Sequence, residues 1–202
     1  MTRRFVGVLC ALVCVALVGC ARGGREWFDP PEGRVPFEKR QSVSEFMEQT
    51  EPVFVEFIAD LARRNSGGEL YYARNDGFSL CEEGAGVRAD SLLFTMGMDG
   101  DGHLAESSHI LEEAGFVPPK VFVADEHTVM RWVRPGDADT MDVVYFPNDS
   151  FSIAYSTGCH PLGEMTAAEY GQMWKDWDPA RHFPDLTVIE GIQGKGQSDK
   201  QS

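Results

Sequence analysis

Apolar positions fall into two rhythms along this chain. Ser42-Val43-Ser44-Glu45 has the form of a capping box. After it Phe46, Thr50, Val53, Phe54, Phe57, Ile58 and Leu61 recur at steps of three and four. That period puts them on one face of a helix. Pro52 interrupts the run, so the helix either kinks there or restarts with Thr50 as N-cap and Pro52 in its first turn. Arg63-Arg64 suits the C-terminal dipole, and Gly67-Gly68 ends the element. A further helix is predicted through His103 to Ala114, capped by Asp101. It buries Leu104, Ser107, Ser108 and Leu111 and stops at Ala114-Gly115-Phe116. A short third one opens on the box Thr166-Ala167-Ala168-Glu169 and runs to about Trp174.

Elsewhere the period is two. Leu70–Ala73 and Phe78–Cys81 flank Asn75-Asp76-Gly77 and read as a hairpin, followed by a loop over Glu82–Ala89. Ser91–Met96, Lys120–Ala124, His127–Arg134, Met141–Phe146 and Phe151–Thr157 read as further extended segments. The last three are joined by short turns, which implies an antiparallel meander. The expected class is α+β: one antiparallel sheet of about five or six strands with two or three helices on one face. A single domain is expected over 42–188. Residues 20–41, with Gly23-Gly24, Pro30-Pro31, Gly33 and Pro36, read as a flexible tether, and 189–202 as a disordered polar tail.

One stretch fits neither rhythm. Phe5 to Val18 is almost wholly apolar behind Arg3-Arg4, and it ends in Leu17-Val18-Gly19-Cys20. Charge, length and small-residue exit match a secretory signal over 1–19. Those four residues resemble the lipobox of bacterial lipoprotein signals. The resemblance implies cleavage between Gly19 and Cys20 and a diacylglyceryl thioether on the Cys20 sulfur. The protein would then sit on the extracytoplasmic face of a membrane. An uncut spanning helix is the alternative, although this segment is at the short limit for one.

Charge narrows the partners. The formal charge is −14, and loss of Arg3 and Arg4 with the signal would make the chain more acidic still. Such a chain is a poor ligand for nucleic acid, which needs clustered Lys and Arg. The acids are spread along the sequence, as expected of a solvated surface. Of five cysteines, Cys10 and Cys14 belong to the signal and Cys20 to the lipid, leaving Cys81 and Cys159. In an exported chain these two are expected to pair. The rival reading makes Cys159 a thiol nucleophile beside His160, but neighbours on a strand point to opposite faces.

Candidate chemistry is sparse. Asp99-Gly100-Asp101-Gly102-His103 invites a calcium reading. Laid on the EF-hand ladder, however, it puts Gly97 and Ser108 where carboxylates belong. The same three polar residues, Asp99, Asp101 and His103, could serve a small hydrolase, with or without a metal. Trp174 and Trp177 could stack on a sugar, or on a small ligand, or simply pack over the sheet with Phe183. There is no Gly-x-Ser-x-Gly, Ser-x-x-Lys, His-Glu-x-x-His or phosphate loop. Accordingly no catalytic residue, metal set or cofactor is assigned.

The layout as a whole resembles uncharacterised actinobacterial lipoproteins, LppA-like or of the domain-of-unknown-function kind. The likeness spans about Ser42 to Pro161: the Pro-bearing helix, the strand with one cysteine, the Ala114-Gly115-Phe116 stop, the meander, and above all Ser156-Thr157-Gly158-Cys159. It implies an α+β domain with a cross-linked sheet and carries no known activity. The Asp99–His103 loop and the Trp-rich C-terminal segment depart from it. The expected role is that of a lipid-anchored, non-enzymatic module for an unknown envelope protein or wall component.

Overall fold

The computed structural model describes residues 35–74, 77–99, 102–124 and 126–192. Gly19, Cys20 and Asp101 lie outside them. The chain divides into Met1–Pro30 and Pro31–Ser202, and every described residue belongs to the second unit.

Five α-helices are present among the described residues: α1 (Val43–Gln49), α2 (Glu51–Ser66), α3 (Leu104–Glu113), α4 (Ala167–Lys175) and α5 (Pro179–His182). Ten strands accompany them: β1 (Glu69–Ala73), β2 (Gly77–Cys81), β3 (Gly86–Asp90), β4 (Leu93–Gly97), β5 (Val117–Ala124), β6 (His127–Arg134), β7 (Asp139–Phe146), β8 (Ser150–Ser156), β9 (His160–Pro161) and β10 (Thr187–Glu190). The sheet runs β10-β1-β4-β8-β7-β6-β5, with β3 attached to β8 and carrying β2 and β9. Every pair is antiparallel except β1–β10.

Both capping boxes form in full, Ser42 with Glu45 and Thr166 with Glu169. The helix does restart at Pro52, but Thr50 caps nothing with its side chain, which is committed elsewhere. Gly67 ends α2 in the left-handed region at φ 62°, a conformation glycine adopts without steric cost. Phe54, Phe57, Ile58 and Leu61 are fully buried against the sheet. Each such side chain contributes about 1.5–3 kcal/mol. One row of the facing sheet crosses six strands by register: Tyr72, Phe94, Ile153, Val143, Met130 and Val121. The row is apolar throughout, and its central members Phe94, Ile153 and Val143 are sealed.

The α+β class agrees with expectation; several details do not. The sheet has ten strands, where about five or six were expected. β1 and β2 form no hairpin: both edges of β1 are already taken, by β10 and β4, so β2 crosses to β3 instead. The loop expected over Glu82–Ala89 becomes β3 from Gly86 onward. The tail expected from 189 overlaps β10, and Gly191 N–H donates to Tyr72 O. The tether expected up to Gln41 is already docked at Val35, whose N–H donates to Gly136 O. Predicted disulfide partners Cys81 and Cys159 are bonded, with their Cα atoms 6.2 Å apart, and the bond ties β2 to the segment before β9.

Candidate functional site

Chemistry concentrates on either side of the α1–α2 junction at Thr50–Glu51. One side is a charged clamp. The tight turn from β6 to β7 brings Arg134, Asp137 and Asp139 together, with Ala138 N–H donating to Arg134 O at 2.9 Å. Arg134 donates to Asp137 Oδ2 at 2.5 Å, to Thr50 Oγ1 at 2.6 Å and to Gln41 Oε1, and lies 3.1 Å from Asp139 Oδ2. Asp139 is wholly buried. Its Oδ1 accepts the Gly158 N–H at 3.0 Å and faces His160 Nε2 at 2.7 Å. The other ring nitrogen of His160 faces Gln41 O at 2.9 Å.

That geometry favours a protonated His160. A backbone carbonyl and a carboxylate both accept, so each ring nitrogen faces an acceptor. Burial by itself pushes the His160 pKa down. The hydrogen bond and charge of Asp139, the Gln41 carbonyl and the charge of Asp137 outweigh it, and the net direction is up. Arg134 and His160 thus face the carboxylates of Asp137 and Asp139. Gly158 sits so close that a Cβ there would lie 1.6 Å from Asp137 O.

The clamp holds the N-terminal segment of the described chain. Gln41 N–H donates to Asp137 Oδ1 at 3.1 Å, and Thr50 Oγ1 donates to Gln41 Oε1 at 2.9 Å. Arg40 reaches Cys159 O at 3.3 Å. The Phe46 ring of α1 covers the His160 ring at a centroid distance of 5.0 Å.

The other side holds a solitary acid. Glu51, 4% exposed, accepts from Tyr155 Oη and from Trp177 Nε1, each at 3.0 Å. Burial pushes its pKa up, and the two hydrogen bonds only partly oppose this. Burial and the Glu51 charge also raise the Tyr170 phenol. Tyr155 stacks on Phe54 at 4.5 Å, and Trp177 stacks on His182 at 4.2 Å. A void of about 10 Å³ remains between Ser91, Leu92, Tyr155, Trp174 and Trp177, about enough for one water. Trp174 Nε1 is buried and unpartnered.

The residues singled out by sequence are scattered. Asp99 is exposed, and its backbone N–H is held by Asn65 Oδ1 at 3.1 Å. His103 takes a left-handed turn at φ 53° with its Nδ1 3.9 Å from Glu106. No group of three His, Cys, Asp or Glu able to hold a metal exists among the described residues. Cys159 is in a disulfide, so it is no thiol nucleophile, and His160 turns away from it to Asp139. Trp174 and Trp177 are half-buried and pack against the core. Sequence reasoning missed the clamp because its members lie in turns and strand ends that carry no motif. The one available signal was the Asp137-Ala138-Asp139 spacing after Arg134.

No helix among the described residues is long and apolar enough to cross a membrane. An open groove of about 540 Å³ beside α4 is lined by Met165 and Met173 and by the acids Glu164, Glu169 and Asp176. Glu169 is occupied by its capping box. The clamp joins Gln41 and Thr50 to the turn between β6 and β7.

Comparison with known proteins adds the fold. No protein family matches the sequence, and no curated protein does. Among solved structures, the chain is similar to a DUF4853 family protein from the actinobacterium Actinomyces odontolyticus. The two share 18% identity at a TM-score of 0.57, over 76% of this chain and 86% of that one.

Proposed function

We propose that this chain is a lipid-anchored lipoprotein of the extracytoplasmic face whose domain is a non-enzymatic interaction module. The Leu17-Val18-Gly19-Cys20 sequence carries the reading. The Cys81–Cys159 bond supports it, because disulfides persist outside the reducing cytosol. The fold is similar to that of a DUF4853 family protein from an actinobacterium. The partner is an envelope protein or a wall component. Two acyl chains hold a protein at a bilayer stably, at about 0.8 kcal/mol per buried methylene.

Mass spectrometry of the membrane fraction tests this. The expected N-terminal peptide begins at Cys20 and carries a diacylglyceryl mass, and Cys20→Ser releases the protein or leaves the signal uncut. Recovery of an intact Met1 or an unmodified Cys20 overturns the anchor.

A further inference from the structure

Two methionines floor the groove beside α4. Ser44 of α1 lines one side of it, and α4 with the turn that leads into it lines the other. Met165 and Met173 are half-buried. They pack on the small cluster of Val43, Val87, Ala89 and Tyr170 and also face the groove. Its volume of about 540 Å³ falls within the range of about 300–1,000 Å³ that small-ligand sites occupy. Glu169, Met173 and Asp176 follow one another at steps of four and three, so they share one face of the helix. A helix of nine residues is about 13 Å long, the span of about four extended residues.

The rim carries one sign of charge. Glu164, Glu169 and Asp176 are exposed there, and none of the lining residues is basic. No ion pair holds any of the three among the described residues. Gln172 Nε2 donates to both oxygens of Asp176, at 3.1 and 3.0 Å, and fixes that carboxylate in place. The hydrogen bonds of the capping box lower the Glu169 pKa, so this acid stays charged. The acids form no metal set among the described residues. An apolar floor under an anionic rim selects an occupant that is apolar in the middle and cationic on either side. Anionic lipid surfaces and acidic wall polymers carry the wrong sign. Methionine suits such a floor, because its unbranched thioether adapts to apolar side chains of different shape.

We infer that this groove docks a short basic segment of a partner protein, with large apolar side chains on Met165 and Met173 and Lys or Arg beside Glu164, Glu169 and Asp176. The inference rests on the reading of the domain as an interaction module and names the chemistry of its partner. The rim acids are exposed, so each ion pair adds little and is screened by salt. The apolar contact and the charges act together, and the binding is reversible.

Fluorescence anisotropy of labelled peptides, with the purified full chain in nonionic detergent and detergent alone as blank, tests it. Lys-Leu-Lys-Leu-Lys is expected to bind about tenfold more tightly than Lys-Ser-Lys-Ser-Lys or Glu-Leu-Glu-Leu-Glu, and to bind less as salt is raised. Glu164→Lys combined with Asp176→Lys is expected to weaken the first peptide by about tenfold. Ser44→Lys, an exposed change on the opposite side, is expected to weaken it independently. Glu112→Lys combined with Glu113→Lys alters net charge equally at exposed positions of α3, which lines no part of the groove, and is expected to leave binding unchanged. Equal loss from the α3 pair, equal binding of either control peptide, or no binding of any peptide would each overturn the proposal. The mass of the recovered peptide separates the two readings. An intact peptide is expected; a shortened one with the same ranking of variants keeps the groove and overturns the non-enzymatic module.

Discussion

Thr50 and Glu51 are neighbours, yet the polar centres they join bury charge in opposite ways. On the Thr50 side two basic and two acidic side chains are buried together and paired, although Arg134 Nε and Asp139 Oδ2 make no hydrogen bond. On the Glu51 side one carboxyl sits among Tyr155, Trp177, Phe54 and Tyr170 with no ion pair among the described residues. The first arrangement keeps its charge because the partners stabilise it. The second favours the neutral acid, since ionisation would be uncompensated. A paired site should suffer from losing one member, and a lone site should tolerate losing its charge.

The sharpest way to break the comparison is Asp139→Ala. It removes the carboxylate that both Arg134 and His160 face in the interior. Loss of one partner of a buried pair costs about 3–5 kcal/mol, read as a lower urea midpoint. Next comes the cross-link. Cys81→Ser with Cys159→Ser frees a loop with a sequence separation of 78 residues, and the expected loss is about 2–5 kcal/mol. Both exceed the expected effect of Glu51→Gln. Its amide oxygen can still accept from Tyr155 and Trp177, so the change should stay within about 1 kcal/mol at acidic pH.

pH sharpens the contrast further. His160 has its folded pKa raised, so its contribution is fully present below the unfolded imidazole value and is lost as pH rises through the folded one. Glu51 is also raised and slopes the same way, but its window opens just above the ordinary carboxyl value. Asp60 runs the other way. Burial raises it, but the hydrogen bonds from Arg64 and Ser107 and the Arg64 and Arg63 charges lower it overall, so its contribution is lost as pH falls. Unfolding measured across pH is expected to show two separate declines on the rising side. Glu51→Gln should remove the earlier decline and leave the His160 one intact. A variant curve that superimposes on the parent would sink the assignment of Glu51.

Local features were readable from the chain, and distant ones were not. Both capping boxes, the glycine stop after Ser66 and the β6–β7–β8 meander depend on residues a few positions apart. The false hairpin shows the limit. Asn75-Asp76-Gly77 suits a turn, but β1 is claimed by β4 and by β10 from the far end of the chain. β3 looked like a loop because Gly84 and Gly86 punctuate it. Gly86 is needed where the Phe37 ring and the His160 carbonyl come within 2.9 Å of any added Cβ. Asp137 and Asp139 were legible as turn residues, but nothing local announces that His160 and Gln41 close on them. Glu51 was invisible inside an otherwise apolar helical stripe. The indoles of Trp174 and Trp177, readable as a stacking platform or as packing, are placed against the core.

The parallel pairing of β1 with β10 has a consequence for how the molecule is made. Among the described strands β1 is made first and β10 last, so the β1 edge that β10 takes stays unpaired until every other one of them exists.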